Sequence, residues 1–123
     1  MEALENLDVW KKSCRLSVEL YQALANCREL GFKDQITRSA LSIPSNIAEG
    51  YERGNGRSRI QFLVVAKGSC GELWTQLLIG RKAGFIEPAT GKRLEESARE
   101  IAKMLFGLIQ HFEREQEQDV SRS

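Results

Sequence analysis

Metal-binding and redox residues are scarce in this sequence. It has one histidine, His111, and three cysteines, Cys14, Cys27 and Cys70, which are widely spaced and form no Cys-x-x-Cys pair. A structural zinc site needs four nitrogen or sulfur ligands brought close together, and a redox motif needs paired cysteines. We therefore expect no metal and no cofactor. We interpret the cysteines as buried free thiols, which behave as small core hydrophobes.

The sequence also lacks an uninterrupted hydrophobic run and a secretory signal. Its most apolar stretch, 61–80, has about the length of a membrane span, but Lys67 and Glu72 lie near its middle. The first residues, MEALENLDVWKK, contain no basic stretch followed by an apolar run. We expect no membrane association and a cytoplasmic location.

Prolines are few as well, since Pro44 and Pro88 are the only two, and this leaves room for long helices. The 123 residues are 41% hydrophobic and 28% charged, which is typical of a globular protein, and we expect a single domain over 1–123. No strand-like alternation of useful length occurs. Helical spacing recurs in four segments, at about 7–30, 33–50, 57–83 and 88–116, followed by a polar C-terminal tail that we expect to fray. The pattern predicts an all-α four-helix bundle.

The third segment differs from the others because its apolar residues occur at every angle of the helical wheel. A helix that is apolar on all sides must be buried on all sides. In a lone four-helix bundle every helix keeps one face in water, so we predict a homo-oligomer with this helix at the interface. The predicted interface residues, whose two glycines permit close helix approach, are Val64, Gly68, Gly71, Trp74 and Leu78.

The second segment contains the stretch SIPSNIAEG at 42–50, in which Pro44 interrupts an amphipathic helix. Proline cannot donate a hydrogen bond to the carbonyl of Ala40, so we predict a kink there, with Ser or Asn side chains available to the freed group. Because a proline inside a helix is destabilising, we expect the shape of this helix to be set by its packing against its neighbours.

A small polar stripe on the second segment faces the third. Antiparallel pairing predicts three contacts: Ser39 with Ser69, Ser42 with Ala66, and an ion pair of Arg38 with Glu72. We interpret the stripe as a polar seam that fixes helix register without chemistry; its residues are Gln35, Arg38, Ser39, Ser42, Asn46, Glu49, Ser69 and Glu72. The alternative is that Glu49 and Glu72 form a carboxylate pair that acts in acid/base catalysis or binds a metal ion. The pairing sets these two far apart, which disfavours that reading.

Charge is unevenly distributed along the chain although the net charge is only +1. Residues 31–93 carry ten Lys and Arg against five Asp and Glu, and the remainder carries eight against twelve. If the bundle alternates direction, one end collects a basic cluster of Arg28, Lys33, Arg81, Lys82, Lys92 and Arg93. Such a cluster could hold RNA phosphates with salt-dependent affinity. The alternative is that Arg28, Arg81 and Lys82 merely complement helix C-terminal dipoles.

Arg53, Arg57 and Arg59 form a second basic turn at the opposite end, which we interpret as a solvated hairpin turn. Its glycines are no phosphate loop, because no strand precedes them and no Gly-Lys-Ser/Thr follows. The aromatic residues could stack on bases, but their helical spacing favours packing in the core or at the interface; they are Trp10, Tyr21, Tyr51 and Trp74.

One set of residues supports a family resemblance that extends from Val9 to Ile109. The set comprises Asp34, Gln35, Arg38, the SIPSNIAEG segment, Phe62, Ala66, Gly68, Ser69, Glu72 and Leu73. It resembles the four-helix-bundle proteins encoded within intervening sequences of bacterial 23S ribosomal RNA genes. The resemblance implies an up-down-up-down antiparallel bundle that assembles into a ring of five subunits, with no enzymatic activity. It also implies an association with ribosomal RNA, and related accessory proteins of diversity-generating retroelements bind nucleic acid and a reverse transcriptase.

Three functional hypotheses follow. The first is a non-enzymatic homo-oligomer that binds RNA or a ribonucleoprotein. The second is a protein-interaction scaffold without nucleic-acid affinity, and the third is an enzyme with a site between subunits. No small-molecule substrate is evident, and the chain itself is the first expected partner.

Overall fold

Five helices make up the computed structural model of the protein, which describes residues 2–54 and 56–122. They are α1 (Glu2–Glu5), α2 (Asp8–Ala23), α3 (Leu30–Glu52), α4 (Gly56–Ala83) and α5 (Pro88–Arg122). No strand occurs within the described ranges. The fold is all-helical, as the sequence predicts.

The four long helices form an antiparallel bundle in which each packs on two others. Consecutive helices pack against each other, and α5 closes against α2. Helices α3 and α4 run in opposite directions, because Ser39 contacts Glu72 while Ser42, three residues later on α3, contacts Ser69, three residues earlier on α4. The ion pairs Lys12–Glu100 and Glu19–Arg93 show the same opposite direction for α2 and α5.

One continuous hydrophobic core runs through the bundle and receives side chains from every helix. Its fully buried larger members include Leu20, Leu24, Ile36, Ile43, Ile47, Leu63, Leu73, Leu77, Leu94, Ile101 and Leu105. Cys70 belongs to this core, and burial raises the pKa of its thiol to about 12. Cys14 and Cys27 are free but only half-buried, so the prediction of three buried thiols is correct for Cys70 alone. No helix in the described ranges has both the length and the apolar character needed to span a membrane.

The first turn of the bundle lies earlier in the chain than predicted. Helix α2 ends at Ala23 rather than near residue 30, and α3 begins at Leu30 rather than at 33. Gly31, which falls in the gap between the first two predicted segments, lies inside α3. Phe32 explains the shift, because its ring packs on Phe85 with a centroid separation of 5.1 Å and needs the first turn of α3 in place.

The turn between α4 and α5 is specified by its backbone and by one carboxylate. Gly84 has φ 84°, and the N–H groups of Gly84 and Phe85 donate to the carbonyls of Arg81 and Gly80, which is the Schellman termination of a helix. Glu87 then accepts hydrogen bonds from the N–H groups of Ala89 and Thr90 at 3.1 and 2.8 Å. These bonds satisfy the free donors of the first turn of α5 and hold the pKa of Glu87 below its ordinary value.

Two features expected to interrupt helices do not end them. Helix α3 continues past Pro44, which is buried, and the kink predicted there stays a prediction. The nearby polar side chains contact other carbonyls than that of Ala40: Asn46 Nδ2 donates to the carbonyl of Ser42, and the Ser42 hydroxyl oxygen lies 2.9 Å from the carbonyl oxygen of Ser39. The polar tail, expected to fray after 116, continues α5 to Arg122. Its Glu, Gln and Arg residues are strong helix formers, which accounts for the extension.

Candidate functional site

A polar groove lies between α3 and α4. The hydroxyl of Ser39 donates to Glu72 Oε1 at 3.0 Å, and that of Ser42 to Ser69 Oγ at 2.6 Å. Both contacts are shifted by three residues from the predicted pairs of Ser39 with Ser69 and Ser42 with Ala66. Nearer the turn, α3 and α4 approach closely at Gly50, where an added Cβ would lie 3.1 Å from Phe62 Cβ. Four of the eight predicted seam residues thus bond across the helices, in a different register, and their role in fixing that register stays a prediction.

The predicted ion pair of Arg38 with Glu72 is wrong. Arg38 instead binds Asp34 one turn earlier on α3, with Nη2 and Nε at 3.2 and 3.3 Å from the carboxylate. The preference is physical: the Arg38 side chain is 77% exposed, and an i,i+4 partner on its own helix costs little to reach. Glu72 therefore has a serine partner and no cation in the described ranges.

An open cavity of about 400 Å³ occupies this groove and is lined by Gln35, Arg38, Ser39, Ser42 and Glu72. Glu49 lies outside it and pairs with Arg53 at 3.1 Å near the end of α3. The alternative of a Glu49–Glu72 acid/base pair thus has no geometric basis. Among the described residues no three His, Cys, Asp or Glu side chains are grouped so that they could hold a metal ion.

The basic end of the bundle is where α2 and α4 end and α3 and α5 begin. Two of its six predicted cations are held within the fold. Arg81 Nε and Nη2 donate to the Glu95 carboxylate at 2.7 and 3.2 Å, and the two side chains are only 18% and 11% exposed. The bond to Glu95 raises the pKa of Arg81. Arg93 pairs with Glu19 of α2. Arg81 is thus held inside the fold and Arg93 has a carboxylate partner on the surface, so we leave both out of the candidate RNA site.

The other four cations make no ion pair within residues 2–54 and 56–122; they are Arg28, Lys33, Lys82 and Lys92. We call them the basic-end set. Lys82 lies in the last turn of α4, where a cation complements the helix dipole. Lys33 and Lys92, in contrast, lie near the first turns of α3 and α5, where the dipole disfavours positive charge. Dipole stabilisation therefore does not account for the set as a whole.

The second basic turn, at the opposite end, is engaged in structural contacts. Arg59 donates to the carbonyls of Gly50 and Tyr51 and lies over the rings of Tyr51 and Phe112, with centroid distances of 4.3 and 5.0 Å. Arg53 pairs with Glu49. The prediction of a solvated hairpin turn is therefore wrong for Arg59, whose cation–π contacts hold α3, α4 and α5 together. The cation–π contacts of Arg59 could not be predicted from the sequence, because Tyr51 and Phe112 belong to two other helices.

The outer face of α4 is exposed and carries both apolar and very small side chains. Val64 is exposed, and a Cβ added at Gly68 or Gly71 would meet nothing within 4 Å. Trp74 and Leu78 are half-buried at the edge of this face. All five residues predicted for the oligomer interface are thus on or beside one surface, and their role there stays a prediction.

Exposed apolar residues beside this face escaped the sequence reasoning. Phe106 of α5 is exposed, and the Lys67 ammonium lies 5.8 Å from its ring centroid. Arg99 of α5 lies 5.6 Å from the ring of Trp74 in the same way. The sequence signal for Phe106 was its position outside the apolar stripe of α5, which marks a surface residue.

Among the aromatic residues, Trp10, Tyr51 and Trp74 pack against the core, as their spacing predicts. Tyr21 is exposed on α2 and departs from that prediction. His111 is exposed and lies 3.2 Å from Glu115, one turn later on α5.

Comparison with known proteins places these features in context. The sequence profile of the 23S rRNA-intervening sequence protein family matches residues 5–107. A crystal structure of a protein of unknown function from Bacteroides thetaiotaomicron, assigned to the S23 ribosomal protein family, is similar with a TM-score of 0.77. It is 26% identical in sequence, and the alignment covers 82% of this chain and 97% of that one. No curated protein matches the chain.

Proposed function

The chain belongs to the 23S rRNA-intervening sequence protein family, and from this premise we propose that it is a non-enzymatic homo-oligomer, a ring of bundles, that binds RNA or a ribonucleoprotein through its basic end. The observation that carries the proposal is the basic-end set. Four cations lie at one end of the bundle without an ion-pair partner in the described ranges, and two of them oppose a helix dipole. Phosphate groups would offset that cost.

Several facts make RNA the first ligand to test. The family description refers to 23S rRNA, and the similar crystal structure is assigned to a ribosomal protein family. At the opposite end of the bundle, by contrast, Arg53 and Arg59 of the second basic turn are already engaged within the fold. A repeated arrangement of subunits with the same orientation would multiply the basic end and raise its local potential.

The proposal is tested by electrophoretic retardation of a structured RNA at about 50 and about 200 mM salt. If each of the four cations of the basic-end set contacts one phosphate, affinity falls roughly 100-fold between the two salt concentrations. The Lys82→Glu/Lys92→Glu variant is expected to lose binding at both. Arg114→Glu, which reverses charge on the same helix at the other end, is the matched control and should bind like the unmodified protein.

A second function, a protein-interaction scaffold without nucleic-acid affinity, is favoured by the exposed apolar residues beside the outer face of α4. Absence of RNA binding at the lower salt concentration, with the assembly intact, would select the scaffold and reject the RNA proposal. Salt-insensitive binding, or equal binding by the Lys82→Glu/Lys92→Glu variant, would reject the basic end as the site.

A further inference from the structure

The two sides of the outer face of α4 carry different chemistry. Val65, Glu72 and Ile79 recur every seven residues and so form one stripe, which Glu72 places toward α3 by its bond to Ser39. We call this stripe the acidic flank. Val65 and Ile79 are 52% and 54% exposed, and the only side-chain partner of Glu72 in the described ranges is a serine. The flank therefore presents two apolar side chains with one carboxylate between them.

The opposite side of α4, toward α5, has the reverse character. Lys67 and Trp74 of α4 face Phe106 and Arg99 of α5 across it, and we call these four residues the basic flank. The two cations lie against aromatic rings and have no carboxylate partner within residues 2–54 and 56–122. The basic flank thus carries two positive charges without a carboxylate partner, and the acidic flank carries one negative charge without a cationic partner, so the two flanks are complementary in charge.

The basic flank also contains a notch that an apolar side chain would fill. The notch has a volume of about 220 Å³, and its lining is almost entirely apolar: Cys70, Gly71, Trp74, Ala98, Arg99 and Ala102. Half of this lining is glycine or alanine, which explains why a hole exists between α4 and α5. Aliphatic side chains such as those of the acidic flank fit a hole of this size and polarity, and their burial is favourable.

The two flanks lie on opposite sides of the same helix, so one copy cannot bring its own flanks together. From this geometry we infer that the acidic flank of one copy docks on the basic flank of a second copy. Val65 or Ile79 enters the notch, and Glu72 lies between Lys67 and Arg99. Antiparallel two-fold packing of α4 on α4 would instead place like flanks together and bring Lys67 and Arg99 against their own copies, which is unfavourable. Contacts between unlike surfaces repeat from copy to copy and close into a ring when the rotation permits.

The inference rests on the proposed self-association and specifies which surfaces meet. Two charge-reversal variants test it: Val65→Lys/Glu72→Lys on the acidic flank and Lys67→Glu/Arg99→Glu on the basic flank. All four side chains are exposed, so each variant should keep the helical circular dichroism and melting curve of the unmodified bundle. Arg15→Glu is the control, because Arg15 is exposed on α2, whose main packing partners in the bundle are α3 and α5.

Sedimentation of each variant alone and of an equimolar mixture gives the decisive comparison. Each variant alone should be monomeric, with its self-association constant weakened at least ~100-fold by like charges. The mixture should associate again, because each variant retains one native flank and the two altered flanks are opposite in charge. Arg15→Glu should assemble like the unmodified chain.

Other outcomes separate this inference from the broader proposal. If the unmodified protein assembles but the mixture stays monomeric, or either variant alone assembles normally, the pairing of unlike flanks is wrong while self-association stands. If the unmodified protein is itself a monomer, the proposed assembly and this inference both fail, and RNA binding by the basic end is judged separately.

Discussion

Helix α4 is held by its two neighbours in different ways. Against α5 it is fixed by the ion pair of Arg81 with Glu95, whose side chains are largely shielded from water. Against α3 it makes hydroxyl hydrogen bonds, such as that of Ser42 to Ser69, in a groove that is open to solvent. Loss of one partner in the shielded pair leaves an uncompensated charge, whereas water can replace a lost hydroxyl in the groove. The ion pair therefore fixes α4 against α5, whereas the hydroxyl contacts in the groove toward α3 should tolerate substitution.

The largest expected effect comes from breaking the ion pair. Glu95→Ala leaves Arg81 without its carboxylate in a largely shielded position, and we expect the free energy of unfolding to fall more than in any of the variants below. Urea denaturation followed by circular dichroism measures it. Glu49→Ala, which removes an exposed pair with Arg53, is the control and should cost no more than about 0.5 kcal/mol. Equal decreases in unfolding free energy in the two variants would show that the shielded ion pair stabilises the bundle no more than the exposed one.

A smaller effect is expected where α3 and α4 approach through a glycine. A Cβ added at Gly80 would lie 2.5 Å from Phe32 Cζ, so Gly80→Ala must displace that ring from its contact with Phe85. We expect a loss of about 1–3 kcal/mol from overpacking, measured as a lower denaturation midpoint. Gly107→Ala is the matched control, because nothing lies within 4 Å of a Cβ there. It should stabilise the helix by about 0.5–1 kcal/mol. Unchanged stability of Gly80→Ala would mean that α3 adjusts freely.

The groove itself should be tolerant. Ser42→Ala removes the 2.6 Å bond to Ser69, and the expected loss is about 1 kcal/mol or less, because solvent reaches the remaining hydroxyl. Ser45→Ala, at an exposed position on the same helix, should have no measurable cost. A loss from Ser42→Ala as large as that from Glu95→Ala would contradict the contrast between the two sides of α4.

The smallest effect concerns acid sensitivity at the junction of α4 and α5. The pKa of Glu87 is lowered by its bonds to Thr90 and Ala89, so its contribution to stability is present above the ordinary carboxyl pKa of 4.5 and is lost as pH falls through the lowered value. We expect the melting temperature of the unmodified protein to fall more than that of Glu87→Gln below about pH 4.5. Equal dependence of the melting temperature on pH in the two proteins would show that Glu87 does not stabilise the start of α5.

Much of the fold follows from the sequence because long apolar stripes decide helix existence. The start of α5 agrees with prediction because Pro88 marks it, and the end of α4 agrees because Gly84 supplies the left-handed turn residue. The first turn was placed wrongly because Gly31 signals a turn locally while Phe32 gains more from packing in the fold. The turn preference of Gly31 is therefore outweighed by the contact of Phe32 with Phe85, which depends on residues distant in the sequence.

The site was less predictable for the same reason. The sequence identified four residues that bond across the polar seam, Ser39, Ser42, Ser69 and Glu72, but their pairing is shifted by three residues from the predicted register. It grouped six cations at one end, yet it could not reveal that Glu95 and Glu19 engage Arg81 and Arg93. Pairing across helices depends on rotation about each helix axis, which spacing along one helix does not determine.

Helix α1 has a practical consequence for handling the protein. It has four residues, yet Leu4 is 3% exposed and belongs to the core, and the N–H of Leu7 donates to its carbonyl at 3.0 Å. The N-terminal turn thus covers one end of the core, and deletion of residues 2–7 would expose the hydrophobic interior and favour aggregation. Purification tags and fluorescent fusions belong on the other terminus, where the last residues of α5 are exposed through Arg122.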